Sequence, residues 1–95
     1  MTSLTASPVR NNAALNRFEL AIGDAIAYAN YRITGDKVII THTETPPALR
    51  GRGIASQLMQ GALELIRADS RKVVAGCSFV ADYLAQHPET RELQG

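Results

Sequence analysis

Apolar and polar residues alternate over RFELAI, residues 17–22, where Phe18, Leu20 and Ile22 oppose Arg17, Glu19 and Ala21. This period of two predicts a half-buried strand, and Gly23 and Asp24 then mark a turn. AIAYANYRI (25–33) and KVIITHTET (37–45) are rich in aromatic and β-branched residues, and Thr34, Gly35 and Asp36 between them have the composition of a hairpin loop. Three successive strands read as an antiparallel meander. Pro46 and Pro47 end the third strand, because neither has an N–H to give to a ladder.

From Ile54 the period lengthens. Ile54, Leu58, Ala62, Leu65 and Ile66 form the stripe of an amphipathic helix running to about Ala68, with Gln57, Gln60, Glu64 and Arg67 away from the core. Asp69 to Arg71 are a polar break, KVVAGC (72–77) is a short strand, and SFVADYLAQ (78–86) returns to helical spacing before Pro88. Residues 1–12 are polar, with Pro8 and paired Asn11 and Asn12, and read as a flexible lead-in to a single domain over 13–95. The order is β-β-β-α-β-α. A helical crossover makes the last strand parallel to the third, giving an α/β layered (α+β) domain.

Composition narrows the function classes. With 95 residues, 45% hydrophobic and 20% charged, the chain reads as a soluble globular domain whose small core leaves monomer and homodimer both open. A formal net charge of +1 provides no field for a polyanion, so nucleic acid is not an expected partner. The single Cys77 excludes a disulfide framework, and no Cys/His spacing suggests a metal. The chain shows neither a signal peptide nor a membrane-length apolar run, so the expected location is cytoplasmic.

The densest chemistry lies at residues 50–56, where Arg50, Gly51, Arg52 and Gly53 precede the helix start Ile54, Ala55, Ser56. Glycines let a ligand approach the main chain, the first helical turn offers unpaired N–H groups, and arginines add charge-assisted hydrogen bonds. The combination predicts an anion site; a loop of solvated arginines with glycines as turn formers is the structural alternative. A Walker loop is excluded by the missing Gly-Lys-Ser/Thr, and a dinucleotide fingerprint by Ser56 where a third glycine or alanine is required.

Arg50-Gly51-Arg52-Gly53-Ile54-Ala55 matches the Q/R-x-x-G-x-G/A signature of the GNAT superfamily of acyl-CoA-dependent N-acyltransferases. The chain further resembles small single-domain members of that superfamily through His42-Thr43, Cys77 with Phe79-Val80, Tyr83, and His87-Pro88, with Ser78 where the family usually has proline. The resemblance spans residues 17 to about 90. It implies a GNAT-like mixed sheet with strands splayed after Thr45, and acetyl-CoA (coenzyme A) as cosubstrate with its pyrophosphate on the backbone of residues 50–56. It also implies that backbone N–H groups near Thr43 to Thr45 polarise the thioester carbonyl, that no metal is needed, and that the acceptor is an amine of a small molecule or a protein.

The candidate catalytic residues each carry more than one reading. Tyr83 is a proton donor to the departing thiolate, as the resemblance implies, or a packing tyrosine. Cys77 is an acyl-accepting nucleophile, a ligand contact, or a buried thiol. His42 and Glu44, two apart on one strand face, are a proton relay for the incoming amine, or a histidine satisfied by a neighbouring strand. At the level of the whole protein, an N-acetyltransferase stands beside a non-catalytic coenzyme A or acyl-CoA-binding module and an interaction protein whose arginine loop meets an acidic partner.

Overall fold

A computed structural model of the chain describes residues 8–95. Five strands form one sheet: β1 (Arg10–Asn12), β2 (Arg17–Ile22), β3 (Ala25–Thr34), β4 (Lys37–Glu44) and β5 (Lys72–Ala75). They lie in the order β1-β2-β3-β4-β5; the first four are antiparallel neighbours, and β5 runs parallel to β4. Helix α1 (Ile54–Ala68) makes the crossover from β4 to β5, and α2 (Ser78–Gln86) follows β5. The parallel β4–β5 pair is the one that the helical crossover requires.

Arg10–Asn12, which fall within the lead-in expected over residues 1–12, form strand β1. Residues 1–7 of that segment lie outside the described residues. β1 is held by polar groups rather than by alternation. Asn12 Nδ2 donates to Glu19 at 3.0 Å, Tyr31 Oη donates to Asn11 Oδ1 at 2.6 Å, and Val9 beside the strand is buried. A strand of three polar residues has no apolar period to read.

One face of the sheet builds the core. Phe18, Leu20, Ala27, Ala29, Tyr31, Val38, Ile40 and Val73 meet Leu58, Met59, Ala62 and Ile66 of α1 and Val80 and Leu84 of α2 in a single buried cluster. Each large apolar side chain fully buried there contributes roughly 1.5–3 kcal/mol. The other face, turned away from both helices, carries a cross-strand row in which Glu19 pairs with Tyr28 and Tyr28 with Glu44, and His42 pairs with Asn30 beside it.

Two irregularities shape the end of the sheet where the helices begin. Asn30 faces His42 while Tyr31 faces Ile40, so Thr41 is the extra residue of a β-bulge. Pairing of β4 with β5 stops at Ile40 and Ala75, so β4 is unpaired on that side from Thr41 onward and the strands part four residues before Thr45. A bulge bends and twists its strand, which accounts for the parting at this point.

Candidate functional site

Past Glu44 the chain leaves the sheet through Pro46 and a 3-10 turn at Pro47–Leu49, whose Leu49 side chain is buried and pins the loop to the core. Gly51 and Gly53 then adopt left-handed backbone, with φ of 81° and 72°. Gly53 is the N-cap of α1 and supplies no capping side chain. The first helical bond runs from the N–H of Gln57 to the carbonyl of Gly53 at 3.0 Å, which leaves the N–H groups of Ile54, Ala55 and Ser56 without intrahelical partners. A cavity of about 160 Å³ opens at this turn, lined by Thr45, Leu49, Arg50, Gly53 and the first residues of α1. A Cβ on Gly53 would meet no protein atom within 4 Å, so the space beside it is open to a ligand.

The two arginines differ. Arg50 folds back on the end of β4, donating from Nε to the Thr45 carbonyl at 3.0 Å and reaching Glu44 at 3.4 Å. Arg52 makes no ion pair among the described residues and does not line the cavity. Glu44 has a second partner, His42 Nε2, at 3.2 Å. One exposed carboxylate thus joins the loop to the histidine on the face away from the helices.

Thr43 and Cys77 meet across the gap between β4 and α2, with Oγ1 and Sγ 3.7 Å apart. The N–H of Tyr31 points to the β2 side, toward Asn16. Alternation along β3 therefore directs Ala29 the same way, and its pair Thr43 turns its backbone groups to the edge that β5 has vacated. Cys77 is the N-cap of α2, whose first helical bond runs from the N–H of Ala81 to the Cys77 carbonyl at 3.1 Å. Because β4 and β5 are parallel, both helices start at the same end of the sheet. Ligands in open α/β sheets bind outside such carboxyl ends.

Tyr83 stands apart from this group. It is 9% exposed, stacks on His87 with ring centroids 3.9 Å apart, and lines a different cavity, of about 390 Å³, between α1 and α2. No residue of that cavity lines the one at the α1 start. Burial, with Glu89 and Glu64 nearby, raises the Tyr83 hydroxyl above its ordinary value of 10.0. Among the described residues, no three His, Cys, Asp or Glu side chains gather in a way that would hold a metal.

Comparison with known proteins agrees with this geometry. A sequence model of GCN5-related N-acetyltransferases matches residues 17–93, most of the chain. The chain belongs to the GCN5-related N-acetyltransferase family. Among curated relatives, Protein NATD1 of Gallus gallus, of Mus musculus and of Homo sapiens is each 32% identical over 65 residues, 67% of this chain. The match spans 59% of the length of the chicken and mouse proteins and 58% of the human one. The NMR solution structure of a GCN5-like protein from Staphylococcus aureus superposes with a TM-score of 0.72 at 22% identity, covering 97% of this chain and 91% of that one. At that identity it bears on the fold, and it agrees with the mixed sheet and the helical crossover.

Within this GCN5-related fold, two residues that build the open edge escaped the reading of the sequence. A Cβ on Gly76 would meet the Ile40 carbonyl oxygen at 2.7 Å, so only glycine permits the last contact between β4 and the segment after β5. A lone glycine near the end of an apolar strand was its available signal. Thr41 gave none, because nothing in THTET distinguishes a bulged threonine from a paired one.

Proposed function

We propose that the domain is an acetyl-CoA-dependent N-acetyltransferase that transfers acetyl directly to an amine. The observation that carries this reading is the uncapped start of α1, where three unpaired N–H groups and two left-handed glycines front an open cavity at the family signature. Such a terminus has partial positive charge and donors aimed outward, which is the chemistry of a pyrophosphate site. Residues 50–56 fit that group, with Ile54, Ala55 and Ser56 donating from the backbone and Arg50 adding positive charge at the cavity wall.

Acetyl-CoA supplies a thioester whose carbonyl carbon is open to an amine. Thr43 offers backbone groups on the vacated edge of β4, and an extended amide chain can pair with such an edge as another strand would. The N–H of Thr43 faces this vacated edge, so Thr43 is the backbone donor we assign to the thioester carbonyl. His42 accepts the proton of the attacking amine and Glu44 orients its ring, both from the face away from the helices. The new C–N bond forms as the C–S bond breaks, and Cys77 lines the path beside Thr43 without forming a bond. Tyr83, in its own cavity, has no assigned part in the transfer.

Calorimetry with acetyl-CoA, followed by turnover against a panel of amines and lysine peptides, tests the reading. Acetyl-CoA should bind the wild type and fail to bind Gly53→Val, while His42→Ala should keep binding and lose about 100-fold or more in kcat. Neither heat nor thermal stabilisation at acetyl-CoA concentrations far above micromolar would sink it. Binding without turnover on any acceptor would make the domain a coenzyme A-binding module instead.

A further inference from the structure

His42 and Glu44 stand in a block of four side chains on the sheet face turned away from the helices. Tyr28 of β3 pairs with Glu44, Asn30 pairs with His42, and alternation along each strand keeps all four on that face. The charges of the block are already matched. Glu44 meets His42 at 3.2 Å and Arg50 at 3.4 Å, and Arg17, beside the block on β2, is held by Glu19 at 2.6 Å.

The half-buried Tyr28 ring is fixed from the β2 side. Glu19, only 5% exposed, anchors Arg17, and the Arg17 guanidinium lies over Tyr28 with Cζ 4.5 Å from the ring centroid. On the β4 side the His42 ring is tilted by 55° with its centroid 6.5 Å away. Tyr28 and His42 thus make one aromatic surface. Glu44 also fixes the tautomer of His42. A carboxylate can only accept, so Nε2 carries the proton toward Glu44, and Nδ1 of the neutral ring keeps its lone pair with no partner among the described residues.

We propose that this block is the acceptor site and that Tyr28 is its specificity-determining residue, packing the uncharged alkyl stem of a primary amine whose nitrogen is presented to Nδ1 of His42. The inference rests on the transfer reading above. Thr43, the donor assigned to the thioester carbonyl, lies between His42 and Glu44 in the chain, so an amine at His42 is one residue from the carbon it attacks. As the C–N bond forms and coenzyme A leaves as a thiolate, Nδ1 takes the proton that the nitrogen loses. The resulting imidazolium stays paired with Glu44 through Nε2. A carboxylate next to the amine would find no uncommitted cation in the block, whereas an apolar stem finds an aromatic surface. The site therefore takes a free alkylamine or a lysine side chain.

The test is steady-state kinetics at saturating acetyl-CoA, with n-butylamine in one arm and an amino-terminally blocked peptide bearing one lysine in the other. The arm with the higher kcat/KM identifies the source of the stem. In that arm Tyr28→Ala should raise the acceptor KM about tenfold, the scale of an alkyl stem losing its packed surface, and alter kcat by less than about threefold. Tyr28→Phe should restore the wild-type KM, because only the ring is used, and glycine should be a poor acceptor. Independently of turnover, long-range 15N–1H spectra should show His42 as the Nε2–H tautomer. Its ring nitrogens should shift saturably when either amine is added to the coenzyme A-bound protein. Such shifts without turnover would keep the site and sink the transfer reading. Turnover with an unchanged KM in Tyr28→Ala, preference for glycine, or an Nδ1–H tautomer would overturn this inference and leave the transfer reading standing. Absence of the shifts overturns the site whether or not turnover is seen.

Discussion

The N–H of Gly76 donates to the carbonyl of Ile40 at 2.8 Å, and among the described residues this is the last backbone hydrogen bond joining β4 to the chain that follows β5. One residue later β4 bulges at Thr41, and one residue after Gly76 the chain reaches Cys77, the cap of α2. The opening between the strands is therefore bounded by a close contact that needs glycine and by a bend in the partner strand. Its position decides which groups can meet a ligand. Thr43 and Cys77 face it from the helix side, and His42 and Glu44 from the other.

Gly76→Ala should destabilise the fold by about 1–3 kcal/mol, because the new methyl is driven against backbone rather than against a flexible side chain. The Ile40 oxygen, 2.7 Å from the ideal Cβ position, cannot move without breaking the β4–β5 ladder. Urea unfolding measures the change. Gly53→Ala is the control, since its methyl meets nothing and only its left-handed backbone, about 1 kcal/mol, opposes it.

Much of this was legible before the structure. Strand β2, the two helices and the parallel last strand follow from periods of two and of about four, and the paired prolines mark where β4 leaves the sheet. The glycine turn into α1 was legible too, because two glycines directly before an apolar period of about four mark a left-handed turn at a helix start. What escaped was set by partners distant in sequence. β1 exists because Glu19 gathers Arg10, Asn12 and Arg17, and polar residues satisfied by one carboxylate show no pattern along the chain. Likewise, Arg50 is tied to Thr45 and Glu44 rather than free, and only the fold of the loop reveals that. Tyr83 lines its own cavity because residue 83 falls on the α1-facing side of α2, an orientation that spacing from Cys77 alone does not specify.

Glu44→Ala should act in opposite directions on binding and on turnover. It releases Arg50 and removes a negative charge beside the α1 cavity, so coenzyme A should bind about two- to fivefold more tightly, the scale of an exposed ion pair. It also frees the His42 ring, so kcat should fall. Calorimetry and steady-state kinetics on the one variant separate the two effects. Weaker coenzyme A binding would show that Glu44 serves to hold Arg50 in a binding conformation.

Glu19 makes stability depend on acid. Hydrogen bonds from Arg17 and Asn12 hold its carboxyl below the ordinary value of 4.5, against the opposing effect of burial. A lowered folded pKa means that the unfolded chain takes up the proton first. The stabilisation is thus fully present above the ordinary value and is lost as pH falls through the lowered one. Glu92, lowered chiefly by its hydrogen bond to Arg67, acts with the same sign. Urea midpoints measured from neutral pH down through this range should fall for the wild type. They should fall less steeply for Glu19→Gln, which begins from a lower value at neutral pH because a buried group has lost its charge-assisted bonds.

Tyr83 produces the mirror-image dependence at the alkaline end. Its hydroxyl is raised above 10.0 first by burial and then by Glu89 and Glu64, so the folded chain retains a proton that the unfolded chain has lost. Stability from this group is complete below 10.0 and disappears as pH rises through the higher folded value. Ultraviolet titration of phenolate should show a late-ionising component, and Tyr83→Phe should remove it. Glu64→Gln with Glu89→Gln should move the late ionisation only part of the way back toward 10.0, because burial is the larger cause and both substitutions leave it in place. A full return to the ordinary value would mean that the carboxylates, and not the enclosure of the ring between α1 and α2, dominate the cavity.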